Sequence, residues 1–384
     1  IDLLDTAIAK ETVEAVKLAL QEARAAAVLN SPRDMAEKQA AVALMADRGN
    51  QSALAVLLNA RGSAEGPLLA DIDTAIAAIQ KSLAVWDLAQ NAWYGVSLGS
   101  VLLLAAIGLA ITFGVMGVIN MAHGEMVMLG AYTTFIVQDI IRTSMPGLFD
   151  YSLLIALPLA FLVAGSVGII IERGVIRWLY GRPLETLLAT WGIALLLQQT
   201  VRSIFGPTNR EVGTPDFLAG AFQLGQLTIT YNRLAIVIFS LVVLAVLMLV
   251  LRKTSFGLRM RAVTQNRRMA NSMGIKTNWV DAMTFGLGSG IAGIAGVALS
   301  QIDNVSPNLG QSYIIDSFLV VVFGGVGNLW GTLVGAMTLG IANKFLEPFA
   351  GAVLGKIILL VCIILFIQKR PRGMFALKGR AVES

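Results

Sequence analysis

Residues 111–130 read ITFGVMGVINMAHGEMVMLG, an apolar run that is broken at four glycines, and the break carries three polar side chains. The polar residues are Asn120, His123 and Glu125, and His123 is the only histidine of the chain. Ionisable groups at membrane depth are costly unless they face protein or a water-filled cavity. Membrane helices that stop and restart build such cavities. The stretch therefore indicates a broken membrane helix beside a pathway for a solute.

The composition is that of an integral membrane protein. Apolar residues make up 56% of the 384 residues, charged residues only 14%, and the mean hydropathy is +0.73, whereas soluble chains have about 25% charged residues. The single cysteine, Cys362, excludes an internal disulfide. No phosphate-binding G-x-x-x-x-G-K-[ST] motif occurs, so the chain does not bind ATP in that way. It begins with Ile1, which fits either a cleaved leader or a trimmed sequence.

Residues 1–92 differ from the rest of the chain. They hold eight basic and twelve acidic residues and no apolar run long enough to cross a membrane. Ile72, Ile76, Ile79 and Leu83 recur at helical spacing. We expect a domain of four or five short helices, which serves either as a packing domain or as a docking surface.

The apolar runs after residue 92 predict the membrane helices, because a span needs about 20 largely apolar residues. They occupy residues 96–113, 126–140, 153–171, 184–204, 234–251, 283–299 and 353–367. A further apolar stretch, 314–345, is interrupted at 323–328 by FGGVGN and is expected to form a re-entrant hairpin or two thin helices. The predicted fold class is all-α: a polytopic helical membrane protein of about eight spans, some of them broken or re-entrant, with an N-terminal helical domain. The glycines assigned to the helix breaks are Gly114, Gly117, Gly124, Gly324, Gly325 and Gly327.

Positive charges predict the orientation, since Lys and Arg concentrate in cytoplasmic loops. They cluster at 173–182, 252–276 and 369–380. Placing these three zones in the cytoplasm agrees with the number of spans. It puts 203–232 and the N-terminal domain outside the membrane.

The polar residues of the membrane part allow two interpretations. Asn120, His123 and Glu125 either cap a broken helix, which leaves backbone groups unpaired, or line the pathway. The neutral side chains further along the chain either bond neighbouring helices or line the same pathway: Thr190, Gln198, Gln199 and Asn328. An H-x-E motif also occurs in zinc deaminases, where further cysteines complete the site. One histidine and one cysteine cannot build that site, so we predict no metal.

Residues 254–276 form the longest polar interval after the N-terminal domain, and we expect an amphipathic helix with Leu258, Val263, Met269 and Met273 on one face. It is either a basic loop at lipid head groups or a helix that docks into a groove on a cytoplasmic partner, and we favour docking. The candidate docking residues are Arg259, Arg261, Gln265, Asn266, Arg267, Arg268, Met269 and Gly274.

Three motifs carry a resemblance to a known family. They are GVMGVINMAHGEMVMLGAY at 114–132, LRMRAVTQNRRMANSMGI at 258–275 and IIDSFLVVVFGGVGNLWGT at 314–332. The sequence from about Trp93 to the end resembles the membrane subunits of branched-chain amino-acid-type ABC transporters. The N-terminal domain, the run RAVTQNRRMA and the C-terminal tail from residue 342 are similar to the urea-permease branch of that family.

The resemblance implies a transport subunit rather than an enzyme, located in a bacterial inner membrane with its N-terminal domain in the periplasm. Its implied partners are a second homologous permease, two cytoplasmic ATPases, a periplasmic urea-binding protein and membrane lipid, with no nucleic acid. ATP and Mg would bind the ATPases, and no cofactor this chain. Segment 254–276 corresponds to the family's coupling helix.

Urea is the expected substrate, and neutral amides, hydroxyls and carbonyls suit a small neutral solute. Two rivals stay open: a permease for branched-chain amino acids or short amides, and a passive urea channel. A purely structural membrane subunit is a distant third.

Overall fold

The computed structural model describes residues 1–375, which are helical over most of their length. The predicted all-α membrane fold is confirmed, with one small addition, a two-stranded hairpin. The end of the basic zone predicted at 369–380 lies outside the described residues. The described chain divides into two compact units, the first made of residues 1–90 and 223–228 and the second of 91–222 and 229–375.

The first unit is a small bundle of short helices. Its elements are α1 (Asp2–Lys10), α2 (Glu14–Leu29), α3 (Met35–Arg48), α4 (Gln51–Arg61) and the first part of α5 (Pro67–Met116). Polar caps start α3 and α4: the Asp34 carboxylate accepts from Met35 N at 2.8 Å, and Asn50 Oδ1 accepts from Ala53 N at 2.7 Å. The apolar faces of these helices meet in a core that includes Val28, Leu57 and Ile72.

The tip of the hairpin, which the sequence did not predict, also belongs to the first unit. The hairpin pairs β1 (Ala221–Leu224) with β2 (Leu227–Thr230). Gln226 Nε2 donates to the Gly49 carbonyl at 2.6 Å, and Thr228 N donates to Gln90 Oε1 at 2.9 Å.

The second unit contains the remaining helices. They are α6 (His123–Ser144), α7 (Ser152–Gly174), α8 (Pro183–Phe205), α9 (Tyr231–Lys253), α10 (Ser255–Gln265), α11 (Arg267–Ser272), α12 (Thr277–Leu299), α13 (Leu309–Gly324) and α14 (Leu329–Lys369). Short 3-10 helices at Pro146–Tyr151, Ile176–Trp178 and Asp216–Leu218 connect some of them.

Five helical segments of the described chain are long and apolar enough to cross a membrane. They are Pro67–Met116, Pro146–Trp178, Tyr231–Lys253, Thr277–Leu299 and Leu329–Lys369. Helix α13 is apolar but has only 16 residues. The count of about eight spans stays a prediction.

Helix α12 packs closely against α6 and α7 through glycines. A Cβ on Gly130 of α6 would lie 2.0 Å from the Gly293 carbonyl oxygen, and one on Gly296 would lie 2.0 Å from the Val127 carbonyl oxygen. On the α7 side, a Cβ on Gly168 would lie 2.3 Å from Ser289 Oγ. Small residues let membrane helices approach this closely, and they place α12 in the buried centre of the unit.

Helix α14 contains the final span predicted at 353–367 in its second part. It runs from Leu329 to Lys369 with a kink at Gly351, where φ is +78°. Pro348 lies three residues earlier and lacks a backbone donor. Because the backbone at Gly351 is not helical, α14 consists of two helical stretches, and the second begins next to the start of the predicted span.

Candidate functional site

The first helix break lies between α5 and α6. Helix α5 ends at Met116, Gly117 adopts a positive φ of +68°, and α6 begins at His123. Asn120 Oδ1 accepts from Ala122 N at 3.0 Å, and Thr190 Oγ1 of α8 accepts from Met121 N at 3.2 Å. Two side chains thus satisfy the backbone donors that the break exposes.

Three polar atoms at this break are buried with no hydrogen-bond partner among the described residues. They are Asn120 Nδ2, His123 Nδ1 and Glu125 Oε2. His123 Nε2 lies 2.9 Å from the Ala105 carbonyl, an acceptor, so Nε2 carries the proton and Nδ1 is left as an acceptor in the neutral ring. Buried polar groups are rarely left unpaired. One donor, one acceptor and one carboxyl oxygen are therefore available to water or to a small polar solute.

The second break lies between α13 and α14. Gly325 and Gly327 have φ values of +105° and +81°. Asn328 caps α14, because its Oδ1 accepts from Trp330 N at 3.1 Å and from Gly331 N at 3.3 Å. Its Nδ2 donates to the Phe375 carbonyl at 3.3 Å.

The two breaks touch through glycines. A Cβ on Gly114, near the end of α5, would lie 2.5 Å from Gly327 Cα. Gly124 and Gly324 lie within helices, where a Cβ would come within 2.4 Å of the Gly310 oxygen and 2.2 Å of the Gly331 oxygen, respectively. Of the six glycines assigned to breaks, these three serve close packing, whereas Gly117, Gly325 and Gly327 provide positive φ.

A cavity of about 570 Å³ lies between the end of α5, the second break and the polar segment after α9. It is lined by Gly114 near the end of α5, by Gly327 and Asn328 from the second break, and by Arg261 and Gln265 of α10, whereas Asn120, His123 and Glu125 do not line it. The rest of its wall includes Ala110, Ile111, Val115, Met248, Leu251, Arg252, Gly257, Met260, Thr264, Leu329 and Trp330. The sequence did not indicate that these distant segments line one cavity.

The predicted polar residues of α8 separate into different environments. Thr190 is fully buried at the first break, whereas Gln199 is exposed. Gln198 Nε2 donates to Asn308 Oδ1 at 2.7 Å, and Arg202 Nη2 donates to the same oxygen at 2.9 Å. The sequence did not predict a role for Asn308. Its one distinguishing feature there is its position directly before the apolar run that forms α13.

The segment predicted as one amphipathic helix forms two helices, α10 and α11. Asn266 is extended, with φ −154°, and caps α11 by accepting from Met269 N at 2.9 Å. The change of direction at Asn266 breaks the helical register. The four predicted apolar residues therefore do not lie along one continuous helix. Val263 is buried, together with Gly257, Met260 and Ala270.

The exposed side of this segment is mixed apolar and basic. Leu258, Met269 and Met273 are 62%, 61% and 77% exposed. Arg259, Gln265, Asn266 and Arg268 are exposed as well. Gly274, with φ +84°, makes the turn before α12.

Two of the predicted docking arginines instead make contacts within the protein. Arg261 Nη1 donates to the Leu251 carbonyl at the end of α9. Arg267 forms an ion pair with Asp281 of α12.

The family is shown by comparison with known proteins. The model of the family described as "Branched-chain amino acid transport system / permease component" matches residues 91–367. The chain belongs to this family. The permease is 30% identical over 289 residues to the high-affinity branched-chain amino acid transport system permease protein BraD of Pseudomonas aeruginosa, covering 73% of this chain and 93% of that protein.

Two further relatives show how far the similarity extends. The permease protein LivH of Escherichia coli (strain K12), of the same kind of transport system, is 31% identical over 294 residues, covering 74% of this chain and 94% of LivH. The ribose import permease protein RbsC of Bacillus subtilis is 32% identical over 136 residues, 32% of this chain and 42% of that protein. No solved structure matches the chain. These relatives are transport permease subunits and not enzymes.

Proposed function

We propose that the permease is the membrane subunit of an ATP-driven importer of urea. The observation that supports this function best is the 570 Å³ cavity, which connects the end of α5 and the second helix break to the α10 segment. A cavity between broken helices suits a solute pathway. Its contact with α10 gives a route by which a cytoplasmic motor could act on the pathway.

The chemistry of the first break suits a small neutral amide. Urea has a carbonyl acceptor and four N–H donors. The free Asn120 Nδ2 is a donor, His123 Nδ1 is an acceptor, and Glu125 offers a free carboxyl oxygen. Together with Thr190, Gln198 and Asn328, these residues are our candidates for the substrate pathway.

The working complex that we propose contains a second homologous permease, two cytoplasmic ATPases that bind ATP and Mg, and a periplasmic urea-binding protein. The binding protein delivers urea to the outer face, and the ATPases move the segment from α10 to Gly274. The exposed residues of that segment contact the ATPases in this proposal, chiefly Arg259, Arg268 and Met269. The proposed location is a bacterial inner membrane, with the N-terminal domain in the periplasm.

A second candidate substrate is a branched-chain amino acid, which the names of BraD and LivH favour. A zwitterion needs a partner for its carboxylate. The N-terminus of α14 follows the second break and would supply positive dipole charge.

Uptake of labelled urea tests the proposal in cells that carry all subunits, with and without this gene. We expect ATP-dependent uptake that disappears on deletion and persists in excess unlabelled leucine. Uptake that leucine abolishes would assign the permease to amino acids. Uptake that continues after ATP depletion would indicate a passive channel. Excess acetamide separates urea from short amides.

A further inference from the structure

Arg267 lies at the start of α11 but points into the permease. Its guanidinium makes two contacts with the Asp281 carboxylate, a close one through Nη2 and a second from Nη1 to Oδ1 at 3.4 Å. Asp281 has no exposed side-chain surface, whereas Arg267 is 40% exposed. A forked guanidinium–carboxylate pair fixes both position and orientation.

Two further residues extend this contact to α7. The Arg267 guanidinium carbon lies 4.7 Å from the centre of the Tyr180 ring, in the loop before α8. Tyr180 OH donates to Glu172 Oε1 at 3.0 Å, and Glu172 is 1% exposed near the end of α7. Burial raises the pKa of Tyr180 above its usual range, so the hydroxyl stays protonated and remains a donor. We call these four residues the Arg267 cluster.

The Arg267 cluster links the proposed docking segment of the permease to its buried centre. Helix α11 belongs to the proposed docking segment, and Asp281 lies on α12. Through its glycines α12 contacts α6 at Gly130 and Val127, one to two turns from His123. Because close-packed interfaces transmit displacements instead of absorbing them, movement of α11 would reach the first break through α12.

We propose that Arg267 is a positioning residue that couples the docking segment to α12, and not a contact for the ATPase. This inference rests on the proposed ATP-driven function. The neighbouring Arg268 is its natural control, since it is exposed and forms no ion pair within residues 1–375.

The test uses the whole complex, with both permeases, the ATPases and the binding protein, in liposomes. The paired variant Arg267→Gln with Asp281→Asn removes both charges, so no unpaired charge is left buried. We expect it to retain the ATPases on purification and to lower solute uptake per ATP hydrolysed by about tenfold. Arg268→Gln should instead weaken ATPase retention.

A conservative variant guards against general damage to the fold. Arg267→Lys keeps the charge but loses the two-pronged contact with Asp281 and the planar face on Tyr180. We therefore expect solute uptake per ATP hydrolysed to fall by about threefold. Uptake per ATP within about twofold of wild type in the paired variant would overturn the inference. Loss of ATPase retention equal to that of Arg268→Gln would also overturn it. The solute in this test is whichever of urea or leucine the wild-type complex transports. A failure of the urea proposal can therefore be distinguished from a failure of the Arg267 inference.

Discussion

Asn328 shows how one side chain organises a helix break. It follows two glycines with positive φ and accepts hydrogen bonds from Trp330 N and Gly331 N. The residue was selected from sequence as a pathway group. Its contacts assign it a capping role as well, at the wall of the cavity.

We expect Asn328→Ala to destabilise the permease by about 1 kcal/mol, the typical cost of losing an N-cap. Asn328→Asp is the control that keeps the capping oxygen, because aspartate caps equally well, and it loses only the Nδ2 donation to the Phe375 carbonyl. The measurement is the midpoint of thermal unfolding in detergent. Equal midpoints for the alanine and aspartate variants would contradict the capping role.

At the scale of elements, the close contact between α6 and α12 depends on glycines, which have no side chain to separate the two helices. We expect Gly130→Ala to cost roughly 1–3 kcal/mol, because its Cβ would collide with backbone at Gly293. Gly192→Ala in α8 is the control: no atom lies within 4 Å of its Cβ position. It should be neutral or stabilising by up to about 1 kcal/mol.

Folded yield and unfolding midpoint in detergent distinguish these two glycine variants. If both alanines were equally well tolerated, α12 would not be closely packed against α6 in the working protein.

At the scale of the whole molecule, the orientation in the membrane follows from positive charge. The prediction places α10 in the cytoplasm and the loop at 203–232 outside. We expect a cysteine at Thr264, which lines the cavity, to react with an impermeant maleimide only from the cytoplasmic side. A cysteine at the exposed Thr208 should react only from outside.

Both variants are made in a Cys362→Ser background, which removes the one native thiol. Labelling of intact spheroplasts and of inside-out vesicles provides the comparison. Reaction of Thr264→Cys in intact spheroplasts would reverse the assigned orientation.

The sequence alone was sufficient to predict the membrane class, the helical N-terminal region, the two helix breaks and the family. These properties depend on composition, on periodicity and on short local motifs, which neighbouring residues encode together. The burial of Asn120, His123 and Glu125 next to a break was predictable for the same reason.

Only the tertiary structure decided which distant residues meet. Gly114 contacts Gly327, Gln198 bonds Asn308, and Arg267 turns inward to Asp281. The sequence assigned Arg267 to a docking surface together with its neighbouring arginines. The extended backbone at Asn266 starts a new helix at Arg267, and this change of register could not be read from the sequence. The partners of a side chain depend on how whole helices pack, and close helix packing is set by glycines far apart in the chain.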